Sequence, residues 1–269
     1  MPDIARVSSL PRITPSSISD LECSRRYYQL RQLKVWPPRP MIEAVAHGVS
    51  VHEVLRLAFT HRTGGKPCLE HVEAWARTAV WRGRYPDGTD RQAATERVIA
   101  AVCAFIENDA DDEEGVAGTI SIEKQDEFVR YYKGEPLFLV SAKIDRIFSR
   151  KSYATRLVAR NYKTSRPRLD FRQAFLELWL AKRLYPAFDS YVLEYIWLDP
   201  EDHRVSMDVV TEKDLRGIHA VVMQAAIKVL TDTEHKPCPG ECCTYCPIRE
   251  GCEGQALVSA QNQGEGREE

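Results

Sequence analysis

Cys238, Cys242, Cys243, Cys246 and Cys252 are crowded into one short stretch near the end of the chain. A chain that gathers thiols this closely has to fold that end around them. In a reducing compartment close thiols hold a metal, either tetrahedral zinc or an iron–sulphur cluster, both of which take four soft sulphur ligands. The spacing leaves both open. Zinc would draw Cys238, Cys242 or Cys243, Cys246 and Cys252 from the local knot, whereas an iron–sulphur cluster would borrow a distant thiol, for which Cys23 is the candidate. A disulfide framework is excluded, because eight cysteines in 269 residues fall well short of the roughly 8–10% that marks one. Cys68 and Cys103 read as ordinary small buried residues.

Charge and apolar runs narrow the partner classes. Lys and Arg number 37 against 39 Asp and Glu, a formal net charge of −2, so nucleic-acid binding has to come from local patches. Every long apolar stretch is interrupted by Arg, Lys, Asp or Glu, short of the roughly 20 residues needed to cross a bilayer, and no membrane partner is expected. The first residues show no charged-then-apolar leader, so the chain is expected in the cytoplasm with its thiols reduced.

The apolar periodicity predicts an α/β chain. Pro2, Pro11 and Pro15 suggest an extended lead-in over 1–15, after which Ser16 or Ser17 caps a helix that carries Cys23 and runs to about Leu33. Beyond Pro37, Pro38 and Pro40, Val51, Val54, Leu55, Ala58 and Phe59 make one helical stripe, with His52 beside it. Val72, Trp75, Ala76, Ala79 and Val80 make a second, and Ala94, Val98, Ala101, Val102, Phe105 and Ile106 a third. After the acidic stretch Asp109 to Glu114 the period changes. Ile120 to Val129, Leu137 to Phe148 and Arg156 to Tyr162 read as strands, separated by Gly134 and the turn Ser149 to Ser152. A helix from about Asp170 to Leu184, strands at Tyr191 to Trp197 and Arg204 to Val209, and a long helix capped by Thr211 complete the pattern. The expected architecture is a central mixed sheet from Glu123 to Val209 flanked by helices, with an N-terminal helical region and a C-terminal cysteine-rich loop. One domain over 16–254 and a frayed tail over 255–269 are expected.

Asp145, in Lys143-Ile-Asp-Arg-Ile147, breaks an otherwise apolar strand. Burying an unpaired carboxylate is costly, so Asp145 is either paired with Lys143 or Arg146 or binds a cation. Asn161 and Lys163 alternate onto one face of the next strand's end, and a hairpin would set Asp145 beside them. Hydrolysing a phosphodiester takes a divalent ion on oxygen ligands, a water it helps deprotonate, and a cation near the attacking or leaving oxygen. Asp145, a second acidic group, His52 and Lys163 would supply those parts. Taken singly, each has a plainer reading: a surface ion pair for Asp145 and Lys163, a core histidine for His52.

In order and spacing, Gly48-Val-Ser-Val-His52, Lys143-Ile-Asp145, Asn161-Tyr-Lys163, Gln173 in the following helix and Leu21-Glu-Cys23 resemble the PD-(D/E)XK nuclease superfamily. The resemblance spans about 16–254 and is to its RecB-type exonucleases with an iron–sulphur cluster, a group that includes helicase-coupled and CRISPR adaptation nucleases. It implies a restriction-endonuclease-like core and a [4Fe–4S] cluster on Cys23, Cys243, Cys246 and Cys252 that ties the two ends of the domain together. It implies a Mg2+ or Mn2+ site with His52 and Asp145 as ligands, Asn161 at the position of another ligand, Lys163 orienting the water, and Gln173 in the site. Glu127 or Glu123 would add an outer contact. Two positions depart from the family, which has Asp or Glu where this chain has Asn161 and usually Tyr where it has Glu177. The resemblance therefore implies an exonuclease on single-stranded or end-exposed DNA, acting in repair, recombination or CRISPR-type processing. A neutral residue at position 161 keeps open a catalytically silent DNA-binding subunit of a helicase or integration complex.

Arg156, Arg160, Lys163, Arg166, Arg168 and Arg172 crowd the same stretch, with Asp170 the only acid among them, and read as a phosphate track. Arg25, Arg26, Arg31 and Lys34 would extend it, and Tyr27, Tyr28, Tyr131 and Tyr132 are candidates for stacking on bases. Nothing in the pattern reads base sequence.

Overall fold

The computed structural model describes residues 10–34, 42–61, 69–108, 116–164, 169–199, 204–240, 243, 246–250 and 252–253. The acidic stretch 109–114, the tail, Cys68 and Cys242 lie outside the described residues. The chain gathers into two compact units, one of Met1–Arg39, Glu127–Ala142 and Gly217–Glu269, the other of Pro40–Asp126 and Lys143–Arg216.

The second unit holds the three expected helices, α1 (Glu43–Thr60), α2 (Val72–Arg82) and α3 (Arg91–Asn108). Asp90 Oδ1 accepts from the Gln92 and Ala93 N–H groups and so caps α3. The apolar stripes meet as the periodicity requires: Val51, Val54, Leu55, Ala58 and Phe59 pack with Val72, Ala76, Val80, Val98, Val102 and Phe105 in one core. Tyr162 and Ile196 join that core from the sheet.

The sheet has six strands: β1 (Arg12–Ile13), β2 (Val116–Tyr132), β3 (Glu135–Arg150), β4 (Tyr153–Lys163), β5 (Ser190–Leu198) and β6 (Val205–Thr211). Their order is β1-β3-β4-β5-β6, with β2 also paired to β3. The sheet is mixed: β3 and β4 are antiparallel, β4 and β5 parallel, and β5 and β6 antiparallel. Lys133 and Gly134, both at positive φ, make the tight turn from β2 to β3. The parallel pairing of β4 with β5 requires a crossover, which is the helix α4 (Phe171–Leu184). Residues Leu157 to Tyr162 of β4 are all buried, as a central strand covered on both faces must be.

In the first unit, β1 pairs parallel to β3 through Arg12↔Leu139 and Ile13↔Val140, so part of the expected lead-in is sheet. The expected helix from Ser16 or Ser17 to Leu33 is broken. A 3-10 segment over Pro15–Glu22 stops at Cys23, which is extended at φ −140 and ψ 119, and a short α-turn and a π-turn follow over Ser24–Tyr27 and Tyr28–Gln32. The buried Asp20 carboxylate explains the fold-back, because it receives Arg26 at 2.8 Å and Arg31 at 2.7 Å from the later turns. The last helix, α5 (Ile218–Thr231), begins after Gly217 and is not capped by Thr211. Thr211 ends β6, and its N–H and hydroxyl bond Asp214 Oδ2 at 2.8 and 2.6 Å. A polar turn therefore precedes the helix.

Candidate active site

β3 and β4 bring the singled-out residues of the two strands together. Arg146 pairs with Arg160 across the ladder. One residue further on, the Asp145 N–H is taken by the Asn161 side-chain Oδ1 at 3.0 Å. Asp145 Oδ2 accepts from the Tyr162 N–H at 2.9 Å and lies 3.4 Å from His52 Nδ1, which α1 delivers. Lys143 and Arg146, the expected partners of Asp145, are occupied elsewhere: Lys143 binds Glu123 at 2.7 Å, and Arg146 lies fully buried against the Phe59 and Phe148 rings. Alternation turns Arg146 to the opposite face of β3, whereas Lys143, two residues before Asp145, shares its face and is taken there by Glu123. Burial opposes the charge on Asp145. The His52 hydrogen bond and charge, the Tyr162 N–H and the Lys163 ammonium outweigh burial and hold its carboxyl below the ordinary range.

α4 adds a carboxylate that the sequence reading noted only as a departure from the family. Asp170 Oδ1 caps this helix through the Arg172 N–H at 2.9 Å. Gln173 is half-buried in the first turn, and one turn later Glu177 is buried among Ala174, Leu176, Leu178 and Ala181. Glu177 Oε2 accepts from Asn161 Nδ2 at 2.7 Å and from the Tyr195 hydroxyl at 2.6 Å. Burial pushes the Glu177 carboxyl up to about 7; the Lys163 ammonium and the Tyr195 and Asn161 bonds oppose that, and the Asp145 charge adds to it. Burial, together with the charge and bond of Glu177, raises the Tyr195 phenol. Lys163 Nζ lies 5.5 Å from the Tyr195 ring. The signal was present in the sequence, as an acid on the apolar stripe of a helix.

An open groove of about 800 Å³ runs between α1 and α2 and reaches this cluster at His52, Lys143 and Thr164. Val45, Gly48 and Trp75 line its apolar part. Glu123 also lines it, while Glu127 is bound to Arg12 at 3.0 Å and is not among these groups.

The phosphate track is largely revised. Arg160 is 1% exposed and donates Nε and Nη2 to Glu194 Oε2 at 2.9 and 2.7 Å. It is a structural cation and cannot meet a phosphate. Arg172 is held by Asp170 at 2.7 Å, and Arg166 and Arg168 lie outside the described residues. Arg26 and Arg31 are committed to Asp20. Tyr27 is core at 1% exposure, and Tyr28 stacks on His235 at 3.9 Å. Tyr131 and Tyr132 remain exposed.

Around the cysteines, Cys23 Sγ accepts from the Cys238 N–H at 3.4 Å. The backbone folds in successive turns, Cys243 N–H to Gly240 O at 3.0 Å, Cys246 N–H to Cys243 O at 3.2 Å and Cys252 N–H to Arg249 O at 3.1 Å. Burial raises the Cys246 thiol; a backbone bond at Ile248 and the Arg26 charge oppose that, and Cys23 and Cys252 add to it.

Among the described residues, no three His, Cys, Asp or Glu side chains are grouped as a ready-made metal cage. Magnesium does not demand one: it keeps several waters and is held by one or two carboxylates together with substrate phosphates. An ionised Asp145 next to His52 and the groove fits that use. Among the described residues, no helix is long and apolar enough to cross a membrane.

Comparison with known proteins bears on the family. A crystal structure of SSO0001 is similar at 12% identity and a TM-score of 0.34, with 87% of this chain and 95% of that chain covered. No curated protein matches the chain. The model of the PD-(D/E)XK nuclease superfamily matches residues 12–253. With that match across the mixed sheet and its flanking helices, the chain belongs to the PD-(D/E)XK nuclease superfamily.

Proposed function

We propose that the protein is a divalent-metal-dependent deoxyribonuclease, an exonuclease on single-stranded or end-exposed DNA. The observation that carries this reading is the Asp145 carboxylate, held ionised by His52, which itself lines an open groove, and by the Tyr162 N–H and Lys163. Asp145 and His52 hold the cation. Mg2+ or Mn2+ supplies Lewis acidity and a lowered water pKa at the scissile phosphate. Lys163 orients the attacking water and balances charge on the phosphate as the P–O bond breaks, and Gln173, in the first turn of α4, joins them as a site residue. Phosphate contacts come from Arg172, with Arg166 and Arg168 of the preceding stretch. They are sequence-independent, so affinity falls steeply with salt.

In the same reading Cys23, Cys243, Cys246 and Cys252 hold a [4Fe–4S] cluster that closes a long loop and so stabilises the fold. The Cys238 N–H on Cys23 Sγ at 3.4 Å, which brings the C-terminal cysteine loop against the N-terminal thiol, supports it. The context is DNA repair, recombination or CRISPR-type processing, with a helicase or other DNA-processing protein as partner.

The test is degradation of linear and circular single- and double-stranded DNA in Mg2+ or Mn2+, with Lys163→Ala as the blank. The expected result is loss of linear substrates with the unaltered chain alone. DNA binding without cleavage in either metal would overturn the enzyme reading and favour a silent DNA-binding subunit, the alternative that Asn161 raises.

A further inference from the structure

The amide of Asn161 has both ends committed: Oδ1 to the Asp145 N–H at 3.0 Å and Nδ2 to Glu177 Oε2 at 2.7 Å. The backbone N–H needs an acceptor and the carboxylate needs a donor, so the amide orientation is fixed. Asn161 is therefore a strut between the backbone of one acid and the side chain of another. Glu177 is 4% exposed on an otherwise apolar helix face, where an acid without a task is costly. Its two described bonds, from Asn161 and Tyr195, both fall on Oε2. Oε1 takes part in neither, and a carboxylate retains acceptor capacity there. Charge points the same way. Of His52, Asn161 and Asp145, only Asp145 offers an anionic oxygen to a divalent cation, and hard cations favour anionic oxygen.

We propose that Glu177 is the second metal-binding carboxylate of this site, supplied by helix α4, and that Asn161 is its positioning residue. The amide on β4 and the acid on α4 have divided the work of one strand carboxylate, and Tyr195 fixes the acid from β5. This inference rests on the nuclease reading for its chemistry, but its test does not depend on cleavage.

Mn2+ binding to the full chain is measured by calorimetry and by the loss of the free Mn2+ resonance, with DNA cleavage and thermal melting followed in parallel. Glu177→Gln keeps the shape and the Asn161 and Tyr195 contacts. It is expected to lower Mn2+ affinity by about 10–100-fold with no loss of melting temperature. Exchanging the groups, Asn161→Asp with Glu177→Gln, lets the new amide donate to the new acid and is expected to restore binding to within a few-fold. Asn161→Asp alone sets two acids against each other and is expected to gain nothing. Mn2+ affinity unchanged in Glu177→Gln but lost in Asp145→Asn would overturn the proposal and leave the nuclease reading intact. An exchange variant that melts normally yet binds no Mn2+ would overturn the role given to Asn161. Loss of Mn2+ in Glu177→Gln, where the unaltered chain binds the metal but cuts no DNA, supports the proposal and removes the nuclease reading.

Discussion

Replacing Glu194 strips two guanidinium groups of their shared counterion. Its Oε2 accepts from Arg160 Nε and Nη2 at 2.9 and 2.7 Å, and its Oε1 from Arg150 Nη2 at 2.9 Å. Side-chain exposure is 21% for Arg150 and 1% for Arg160. In Glu194→Ala, Arg150 can turn toward water and Arg160 cannot. The Phe148 ring, 4.9 Å from the Arg160 guanidinium, does not replace a carboxylate. Removing one partner of a buried pair costs about 3–5 kcal/mol. Each 1 kcal/mol moves the melting temperature of a chain of this size by about 2–4 °C, so Glu194→Ala should melt on the order of 10 °C lower. The double variant Arg160→Met with Glu194→Leu removes both charges along with their desolvation cost. It should recover most of that loss, because apolar replacement of a buried pair is close to neutral. Urea denaturation at constant m-value, with thermal melts, measures both. A Glu194→Ala protein that melts within about 2 °C of the unaltered chain would refute the argument and return Arg160 to the accessible surface.

Three further outcomes are expected. A Cβ on Gly48 would lie 2.7 Å from Thr164 Oγ1, so Gly48→Ala should destabilise despite a helix-propensity gain of about 1 kcal/mol; an equal or higher melting temperature would show that Thr164 simply rotates away. Asp170→Ala should cost about 1 kcal/mol by removing the cap on α4, whereas Asp170→Asn keeps a cap and releases the Arg172 guanidinium, tightening DNA binding at low salt; weaker binding by Asp170→Asn would remove Arg172 from the phosphate contacts. Cys243→Ser should give colourless, aggregation-prone protein by absorbance and iron analysis; a stable variant with the iron content of the unaltered chain would exclude Cys243 as a cluster ligand.

The sequence alone determined the central helices and the run of strands, though not the N-terminal helix, which is broken at Cys23. The stripes of α1, α2 and α3 are buried as their spacing requires. The strand pattern also brought Asp145 and Asn161 onto neighbouring strands, but the turn does not set their register: Arg150↔Tyr153 would oppose Asp145 to Val158, and the register shift at Ser149/Arg150 brings Asn161 there instead. Tertiary structure decided what lies beyond local pairing. Arg160 meets Glu194 through the parallel register of β4 and β5, which no turn sets, and it is buried because both faces of that strand are covered. Glu177 meets Asn161 only once α4 has crossed back over the sheet. Cys23 leaves the helical path because Asp20 draws Arg26 and Arg31 back onto the 3-10 segment. Periodicity tells which residues share a face. Which face is buried, and whose charge it meets there, is set by elements distant in the chain, and at this site that pairing separates a structural arginine from a phosphate contact.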